Sequence, residues 1–500
     1  MSLAIVYTRA KRGIEAPLVT VETHLSNGLP ALNIVGLPET AVKESKDRVR
    51  SAIINSHFEF PARRITINLA PADLPKEGGR FDLPIALGIL AASEQIPPAS
   101  LKSCEFIGEL ALSGELRPVA GSLAAALRAQ QQSRALVVPA SNANEAALAS
   151  DTTVYAARNL LQLCAHLHKR DSIVPHQVSL SHSTPIEYPD LDEVRGQYQA
   201  RRALEIAAAG QHNILFSGPP GTGKTMLASR LPGILPALEH QEMLEVANVY
   251  SISQQQRKHM QQRPFRAPHH SASAVALVGG GSHPKPGEIS LAHNGVLFLD
   301  ELPEFQRNVL EVLREPLESG EILISRANQQ LTFPARFQLV CAMNPCPCGF
   351  AGDNEQLCRC TPDKIRRYRD KISGPLLDRI DLQLQLNRLP AELLTQTENT
   401  AAESSAQVRG RVEAARAMQL KRCGKSNAQL NNKEIEKHCS LTDSNRQLLA
   451  QASKKLRLSP RAYFRLLRVA RTIADLDEAD NIQQQHLSEA ISYRGFSAEQ

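Results

Sequence analysis

The sequence contains no tryptophan, and aromatic residues make up only 4% of its 500 positions. Wide aromatic platforms on which nucleic-acid bases could stack are therefore not expected. No apolar run approaches the ~18 residues that a membrane-spanning helix needs. The first residues also lack the basic start and long apolar stretch of a signal peptide. We therefore expect a cytoplasmic protein with no membrane partner.

Cysteines are few and odd in number, nine in all, which argues against a disulfide framework. Four of them nevertheless fall within fifteen residues, as Cys346-x-Cys348 and Cys358-x-Cys360. Four soft thiolates on one short loop are a ligand set that structural Zn²⁺ prefers. The C-x-C spacing is tighter than the commoner C-x₂-C, so packing of these thiols in a core is the alternative.

The charge balance is nearly even, with 57 basic against 51 acidic side chains and a net charge of +6. By itself this balance says little about nucleic acid. A chain of 500 residues is too long for one core. Changes of pattern predict an N-terminal domain at 1–170, a linker at 171–187, a core at 188–390 and a mostly helical end at 391–500.

Short apolar strands are the most regular pattern of the core. These strands are predicted at 213–217, 295–300 and 337–344. Apolar runs that alternate with helical patterns indicate an α/β fold, a parallel sheet covered by helices on both faces. In the N-terminal domain, alternation predicts a half-buried strand around Ile65–Leu69, and an apolar stretch predicts a buried helix at 81–92.

A complete phosphate-binding loop follows the first of the core strands. Residues Gly218-Pro219-Pro220-Gly221-Thr222-Gly223-Lys224-Thr225 match the pattern G-x-x-x-x-G-K-[ST] and open a helix-like stretch. Glycines let backbone N–H groups turn inward around phosphates, and the helix N-terminus adds partial positive charge. We expect Lys224 to reach the β- and γ-phosphates of ATP, and Thr225 to ligate Mg²⁺.

Polar side chains end the next two strands. Asp300 is expected to hold Mg²⁺, and Glu301 to act as the general base that polarises the attacking water. Asn344 ends the third strand, where a polar side chain lies beside the phosphates in such sheets and could orient that water. The alternatives are a solvated acidic pair and a turn-forming asparagine before Pro345.

Two arginines are candidates for contacting the nucleotide from other elements. Arg379 lies between two acidic residues and could reach the γ-phosphate of a neighbouring subunit, with an intrachain salt bridge as the alternative. Arg461 begins a predicted helix and could sense nucleotide. Arg465 and Arg468 share a face of that helix with Arg461 and could form only a solvated surface.

Several longer stretches resemble the AAA+ ATPases, and among these the magnesium-chelatase-like branch and the bacterial ComM (YifB) family. The resemblance covers essentially the whole chain and is most specific at 264–271, 286–295, 342–349 and 466–475. It implies a homo-hexameric ring with ATP at subunit interfaces and a C-terminal helical lid. It also implies a DNA helicase that moves branched DNA during integration in natural transformation and recombination, although a fold alone does not establish an activity.

The resemblance also implies roles for single residues. They are Walker A for Lys224 and Thr225, Walker B for Asp300 and Glu301, sensor 1 for Asn344, arginine finger for Arg379 and sensor 2 for Arg461. The catalytic residues are thus expected to be Glu301, Asn344, Arg379 and Arg461. The rest of the phosphate loop, together with Asp300, is expected to bind the nucleotide and its metal.

Basic residues in an insertion before Asp300 and on a predicted hairpin are candidate DNA contacts. Lys285 follows three glycines and could belong to a pore loop, while alternation at 322–333 predicts a hairpin with Arg326 near its tip. In the resembling families such hairpins face the channel, where basic side chains would meet single-stranded or branched DNA. Exposed loop charge is the alternative for both, and the basic segment 454–471 is a further candidate.

The N-terminal domain resembles the Lon-protease fold, an α+β domain. Arg80 stands where the resembling proteases carry their catalytic serine, and Leu123 stands in place of their catalytic lysine. Without a nucleophile and a base at these positions, the domain lacks the groups that peptide hydrolysis requires. We therefore expect a non-proteolytic module for oligomerisation or DNA binding.

Three other functions stay open. A magnesium-chelatase motor subunit, which remodels a metal-inserting enzyme, is disfavoured by the Lon-like domain and the four-cysteine loop. An ATP-dependent protease is disfavoured by Arg80 and Leu123. A nucleotide-switched DNA scaffold would bind ATP without turning it over. The sequence predicts an ATP-driven DNA motor, with a protein-remodelling ATPase of the chelatase type as the main rival.

Overall fold

The structure, a computed structural model, describes residues 3–39, 42, 44–177, 188–253, 255, 257, 259–281, 284–326, 329–353, 355–389 and 403–494. The chain divides into two compact units. Unit 1 comprises Met1–Thr184, Met243–Met260 and Ser325–Phe333, and unit 2 comprises Pro185–Glu242, Gln261–Ile324 and Pro334–Gln500. Most of the predicted linker, at 178–187, and the predicted border at 390 lie outside the described residues. The three predicted boundaries, after residues 170, 187 and 390, therefore stay predictions.

Unit 1 is built on a seven-stranded mixed sheet in the order β3-β4-β2-β1-β5-β8-β9. The strands of this sheet are β1 (Leu3–Arg9), β2 (Leu18–Ser26), β3 (Ala31–Val35), β4 (Arg64–Ala70), β5 (Cys104–Phe106), β8 (Ala135–Pro139) and β9 (Val154–Ala157). The strands β6 (Glu109–Leu110) and β7 (Leu116–Arg117) pair only with each other. The helices of unit 1 are α1 (Ser45–Asn55), α2 (Asp82–Ala92), α3 (Ser122–Gln131), α4 (Ala143–Ala146) and α5 (Leu160–Leu167). β2 pairs antiparallel with β1 and β4, and the remaining pairs of this sheet are parallel.

Burial explains two of the predicted elements in unit 1. Ile65, Ile67 and Leu69 of β4 are fully buried while the residues between them are half-buried, so the predicted strand is confirmed. Every residue of α2 is buried, which is why its sequence is apolar all round rather than on one stripe. The helix predicted at 81–92 is confirmed except for Phe81, which ends a short 3₁₀ turn.

Except for the residues at 243–260 and 325–333, which are counted with unit 1, the elements that follow residue 185 belong to unit 2. Its strands are β10 (Ile214–Ser217), β11 (Phe265–Arg266), β12 (Gly279–Gly280), β13 (Lys285–Pro286), β14 (Val296–Leu299), β15 (Glu321–Arg326), β16 (Gln329–Pro334), β17 (Gln338–Met343) and β18 (Leu382–Gln385). The helices among them are α6 (Tyr198–Gly210), α7 (Lys224–Ile234), α8 (His240–Ser253), α9 (Ala274–Val278), α10 (Glu288–Leu291), α11 (Arg307–Glu311), α12 (Pro316–Ser319), α13 (Pro362–Arg369) and α14 (Gly374–Leu377).

A five-stranded sheet in the order β11-β14-β17-β10-β18 forms the centre of unit 2, and all its pairs are parallel. The strands predicted at 213–217, 295–300 and 337–344 are confirmed as β10, β14 and β17. All residues of these three strands are buried, as expected for a sheet with apolar surroundings. Because the strands run in one direction, the residues that follow them meet at one edge. The phosphate loop, Asp300 and Asn344 therefore come together.

The C-terminal part of the described chain is helical, as predicted. Its helices are α15 (Ser405–Cys423), α16 (Asn432–His438), α17 (Asp443–Lys455), α18 (Pro460–Leu476) and α19 (Gln484–Ser492). α15 begins with a capping box. The Ser404 side chain accepts from the backbone N–H of Gln407, and the Gln407 side chain accepts from the backbone N–H of Ser404. α15 and α18 pack on α6, so these helices share one apolar core with the parallel sheet.

Three two-stranded sheets lie apart from the main sheets, β6–β7 in unit 1 and the hairpins β12–β13 and β15–β16. The predicted hairpin at 322–333 is confirmed as β15 and β16, and Arg326 is the last residue of β15. Lys285 is paired with Gly280 in the β12–β13 hairpin, so it lies in a short strand, and its place in a pore loop stays a prediction. No helix in the described part of the chain is long and apolar enough to cross a membrane.

Candidate active site

The phosphate-binding sequence forms a tight loop between β10 and α7. Gly221 and Gly223 have φ angles of +81° and +86°, a region that residues with a side chain rarely adopt. Among the described residues, no atom lies within 4 Å of the place a Cβ would take on either glycine, so the space over the loop is open. α7 begins at Lys224 without a side-chain cap, which leaves the N–H groups of its first turn available to an anion.

The Lys224 ammonium folds back over this loop. Its Nζ donates to the carbonyl oxygens of Gly218 and Pro219 at 2.7 and 2.8 Å, and to Asn344 Oδ1 at 3.1 Å. Burial lowers the pKa of Lys224 to about 8, although the nearby Asp300 carboxylate opposes the shift. A lysine held by neutral oxygens can exchange them for phosphate oxygens, which satisfy its charge better.

Asp300 lies directly across from the end of the loop. Thr225 Oγ1 donates to Asp300 Oδ2 at 2.7 Å, although the two residues are 75 positions apart in the sequence. A hydroxyl and a carboxylate side by side are oxygen ligands of the kind that Mg²⁺ takes. Asp300 is thus joined to the phosphate loop and is not simply a solvated acid at a strand end.

Glu301 has an unusual backbone and a partner that the sequence did not reveal. Its φ of +52° is left-handed, a strained conformation for a residue other than glycine and one that concentrates at functional sites. His270 Nδ1 lies 2.9 Å from Glu301 Oε2. The rings of His269 and His270 have centroids 4.1 Å apart and are tilted by 34° to each other. In the sequence, both histidines stand out only as part of the distinctive stretch 264–271, which was the available signal for their presence at this site.

Asn344 follows β17 and contacts the phosphate loop through its side chain. The 3.1 Å hydrogen bond from Lys224 Nζ to Asn344 Oδ1 crosses from one strand end to its neighbour. A turn-forming asparagine would not need this contact. The side chain is therefore located where it can meet both the loop lysine and groups bound beside it.

The two candidate arginines share a carboxylate, Glu318 of α12. Arg379 is buried, and its Nη2 lies 2.5 Å from Glu318 Oε1 while Nη1 donates to the Pro375 carbonyl at 2.6 Å. Arg461 is exposed at the start of α18, and its Nη2 lies 3.9 Å from the same Glu318 oxygen. Among the described residues, Arg379 and Arg461 thus both form ion pairs with Glu318. The intrachain salt bridge that was the alternative for Arg379 is present.

The basic segment 454–471, a candidate DNA contact, has both exposed and buried basic side chains. Arg465 Nη1 donates to Asp381 Oδ1 at 2.9 Å. Arg471 is only 2% exposed, and its Nε donates to Asp475 Oδ1 at 3.0 Å. Burial lowers the pKa of Arg468. These three arginines stabilise the interior of unit 2, because helical periodicity turns them inward. The candidates that stay exposed in this segment are Lys454, Lys455, Arg457 and Arg461.

Of the two single DNA-contact candidates, only one has a described side chain. Lys285 is exposed at the start of β13. The backbone of Arg326 ends β15, and its side chain lies outside the described residues. Gly279 cannot carry a side chain in this hairpin, because a Cβ there would come within 2.2 Å of the Lys285 carbonyl oxygen.

The four clustered cysteines do come together. The sulfurs of Cys346, Cys348, Cys358 and Cys360 all lie within 4.8 Å of one another. Cys346 is buried and the other three are half-buried. The loop that carries them follows Asn344 directly, so this cluster belongs to the same side of the sheet as the phosphate loop.

The two positions that the resemblance assigns to a Lon protease's catalytic pair are closed to solvent in unit 1. Arg80 is 5% exposed, and burial lowers its pKa to about 10. Leu123, at the start of α3, is fully buried. Both side chains are thus buried, and the absence of peptidase chemistry stays a prediction.

Comparison with known proteins adds the family. The chain is 56% identical over 504 residues to the competence protein ComM of Haemophilus influenzae, with 99% of this chain and 98% of the relative covered. It is 54% identical over 498 residues to the uncharacterized protein YifB of Salmonella typhimurium, with the same coverage. The chain belongs to the ComM (YifB) family. The resemblance inferred from the motifs is thereby confirmed.

Three family models each match a different part of this ComM-family chain. A model for magnesium chelatase subunit ChlI matches residues 190–394, and a second one for subunit ChlI of Mg-chelatase matches 21–142. A model for the C-terminal part of that subunit matches 402–494. The protein therefore carries the domains of the magnesium-chelatase-like AAA+ family. A 74-residue stretch is 35% identical to the archaeal Lon protease of Methanothermobacter thermautotrophicus, which covers 14% of this chain and leaves the Lon-like fold a prediction.

Proposed function

We propose that unit 2 hydrolyses ATP with Mg²⁺ at the edge where the phosphate loop meets the ends of β14 and β17. The observation that carries this proposal is the pair of hydrogen bonds Lys224–Asn344 and Thr225–Asp300, which join three strand ends. The open loop, the uncapped start of α7 and the hydroxyl–carboxylate pair fit a nucleotide and its metal. Bound Mg²⁺ would neutralise developing charge on the phosphates.

Each side chain then has one task. Lys224 neutralises the β- and γ-phosphates, and the N–H groups of the loop and of the first turn of α7 donate to phosphate oxygens. Thr225 and Asp300 hold the metal. Glu301 accepts a proton from the attacking water, and Asn344 orients that water. His270 positions Glu301 through the 2.9 Å contact between their side chains.

The remaining assignments concern assembly. In the proposed homo-hexamer, Arg379 acts as the arginine finger and Arg461 as sensor 2, as the family membership supports. Arg379 must then exchange Glu318 for a phosphate oxygen at a subunit interface, since it is ion-paired within the chain. The charge of an arginine is permanent, so such an exchange needs no proton transfer.

The proposed work of this ATPase is on DNA in the cytoplasm. We infer a helicase that promotes branch migration as incoming DNA is integrated by recombination during natural transformation. Support comes from the full-length similarity to a protein named for competence. Lys285 on the β12–β13 hairpin and Arg326 near the tip of the β15–β16 hairpin are the proposed contacts to single-stranded or branched DNA.

The test is the steady-state ATPase rate without DNA, with single-stranded DNA and with branched DNA. Glu301→Gln should bind ATP normally and lose turnover by about 10²–10⁴-fold, because it removes a general base. Lys224→Ala should not bind ATP. Glu304→Gln changes an exposed carboxylate three residues further along and should keep the wild-type rate. Normal turnover by Glu301→Gln would remove Glu301 from the base role.

The same experiment separates the DNA motor from its rivals. A chelatase-type, protein-remodelling ATPase is favoured by the ChlI family models that match three parts of the chain. Strong stimulation of the rate by DNA, followed by strand displacement and branch migration in gel assays, supports the DNA motor. A rate indifferent to every DNA favours protein remodelling, and ATP binding without turnover favours a scaffold. Peptidase activity of the wild type would contradict all three.

A further inference from the structure

The four-cysteine cluster has the dimensions of a metal site. Sulfur–sulfur distances are 3.3 Å for Cys346–Cys348, 3.7 Å for Cys346–Cys358 and 3.6 Å for Cys348–Cys358. A disulfide bond is only about 2.05 Å long, so these thiols are separate. Four sulfurs at about 2.3 Å from a tetrahedral Zn²⁺ stand about 3.8 Å apart. The observed distances come close to that value.

The surroundings of the sulfurs suit thiolates and not an apolar core. The backbone N–H of Ala351 donates to Cys346 Sγ at 3.3 Å, and that of Cys360 donates to Cys358 Sγ at 3.4 Å. Such donors stabilise the negative charge of metal-bound sulfur. Of the four cysteines only Cys346 is buried, whereas thiols that pack as small hydrophobes are usually buried throughout.

The loop that carries the cysteines touches the proposed ATP site at two points. Asn344, which accepts from Lys224, lies two residues before Cys346. Gly349, with φ of +89°, lies so close to Pro220 of the phosphate loop that a Cβ there would be 2.7 Å from Pro220 Cδ. The tip of the cysteine loop and the phosphate loop are therefore in direct contact.

The far end of the same loop returns to its start. α13 begins just after Cys360, and its Tyr368 is buried. Arg369 Nε donates to the Pro345 carbonyl at 3.4 Å. The start and the end of the cysteine loop are therefore in contact, through Arg369 and Pro345. The four sulfurs lie close together between these ends.

We propose that the four thiolates bind one Zn²⁺, and that this zinc holds Asn344 and Gly349 against the phosphate loop. Four protein ligands leave no open position on the metal, so its role is structural. Zinc and nucleotide then stabilise each other's binding, because both favour the same arrangement of the loop. The metal site stands on its own geometry, whereas the coupling rests on the proposed ATP site.

Metal content tests the first part. Full-length protein purified without chelators, then incubated with zinc and desalted, should contain one zinc per chain by plasma mass spectrometry. Cys423→Ser, which changes a thiol outside the cluster, should keep the zinc. The double variant Cys358→Ser/Cys360→Ser should lose it. Wild-type protein that retains no zinc, or holds iron instead, would overturn the metal site.

Zinc release tests the coupling with a readout other than turnover. In Glu301→Gln protein, ATP with excess Mg²⁺ should lower the rate of zinc transfer to a chromogenic chelator by about fivefold or more, a usual size for coupling between sites. Lys224→Ala should show no effect of ATP, which controls for chelation of zinc by the nucleotide itself. Equal release with and without ATP, in protein shown to bind ATP, would overturn the coupling.

Two glycine variants in the same loop refine this test. Gly349→Ala keeps all four cysteines but forces a Cβ against Pro220, so it should retain one zinc, bind ATP about fivefold more weakly and lose the protection. Gly352→Ala introduces the same strain at φ of +77° where no described atom lies within 4 Å, so its coupling should stay intact. Identical ATP affinities for the two variants would contradict the loop contact. Failure of wild-type protein to bind ATP would instead count against the proposed function.

Discussion

Polar side chains around the phosphate loop are paired with one another. Lys224 contacts Asn344, Thr225 contacts Asp300, and Glu301 contacts His270. In the proposed reaction Lys224 acts on the phosphates, so its contact with Asn344 must open or shift when nucleotide binds. The other two pairs are used as they stand, one to hold the metal and one to position the base. The left-handed backbone of Glu301 adds strain at the residue proposed as base.

The affinity for ATP should fall as the pH rises above about 8. Burial lowers the pKa of Lys224 to about 8 in the free chain, and phosphate oxygens favour its charged form. Binding therefore takes up a proton wherever the free lysine is neutral. Between about pH 8 and pH 10 the Kd should rise by up to about tenfold per pH unit, and it should be level below about pH 7. Calorimetric titration of Glu301→Gln with ATP and Mg²⁺ measures this.

Lys224→Arg is the control for that titration, because arginine stays charged over this whole pH range. Whatever its absolute affinity, its Kd should not change with pH in the same window. An equal Kd for the Lys224 protein at about pH 7 and about pH 9 would show that phosphate binding does not depend on charging this lysine.

Among the elements of unit 2, the short helix α12 connects two others through one side chain. Its Glu318 pairs with Arg379, which follows α14, and lies 3.9 Å from Arg461 of α18. The proposed finger and the proposed sensor are thus both linked to the same half-exposed carboxylate. In the isolated chain this arrangement restrains Arg379 and keeps it from other anions.

Glu318→Gln should raise the basal ATPase rate of the assembled protein by up to about fivefold. Removing a partly exposed ion pair costs about 1 kcal/mol at most, and that restraint on Arg379 disappears. Glu321→Gln, at an exposed position three residues on, should leave the rate unchanged. The effect should also vanish when Arg379→Ala is added. A lower rate for Glu318→Gln would mean that the carboxylate positions the arginine instead of restraining it.

For the molecule as a whole, one core joins the parallel sheet of unit 2 with the C-terminal helices. Polar groups connect the same parts, since His212 Nε2 lies 2.8 Å from Thr472 Oγ1. Asp475, only 1% exposed, accepts from Arg422 Nη1 at 3.1 Å and from Arg471 Nε at 3.0 Å. Two family models cover this region, but the packing indicates a single cooperative unit.

Asp475→Ala should lower the free energy of unfolding of unit 2 by about 3–5 kcal/mol, because it leaves two arginines without their buried carboxylate. The sheet and the helices should unfold in one transition at lower denaturant, followed by circular dichroism and by thiol exposure of the buried Cys341. Asp443→Ala removes a carboxylate whose side chain is 93% exposed and should change stability by less than about 1 kcal/mol. Separate transitions for sheet and helices would contradict a shared core.

Local pattern alone predicted much of this molecule. The phosphate loop, β10, β14 and β17, and the convergence of Asp300 and Asn344 on one edge all follow from motif spacing and apolar runs. The buried helix α2 and the β15–β16 hairpin follow from periodicity in the same way. Such features depend on residues that are close in the sequence, and their backbone geometry is set by those neighbours.

Only the tertiary structure decided which charges meet. The partners of Glu301, Arg379 and Arg471 are His270, Glu318 and Asp475, and the pairing of Lys285 in a strand likewise needed the fold. An arginine has the same appearance in a sequence whether it faces solvent or a buried carboxylate. The difference is the desolvation of the charge, which is determined by the residues packed around it from distant parts of the chain.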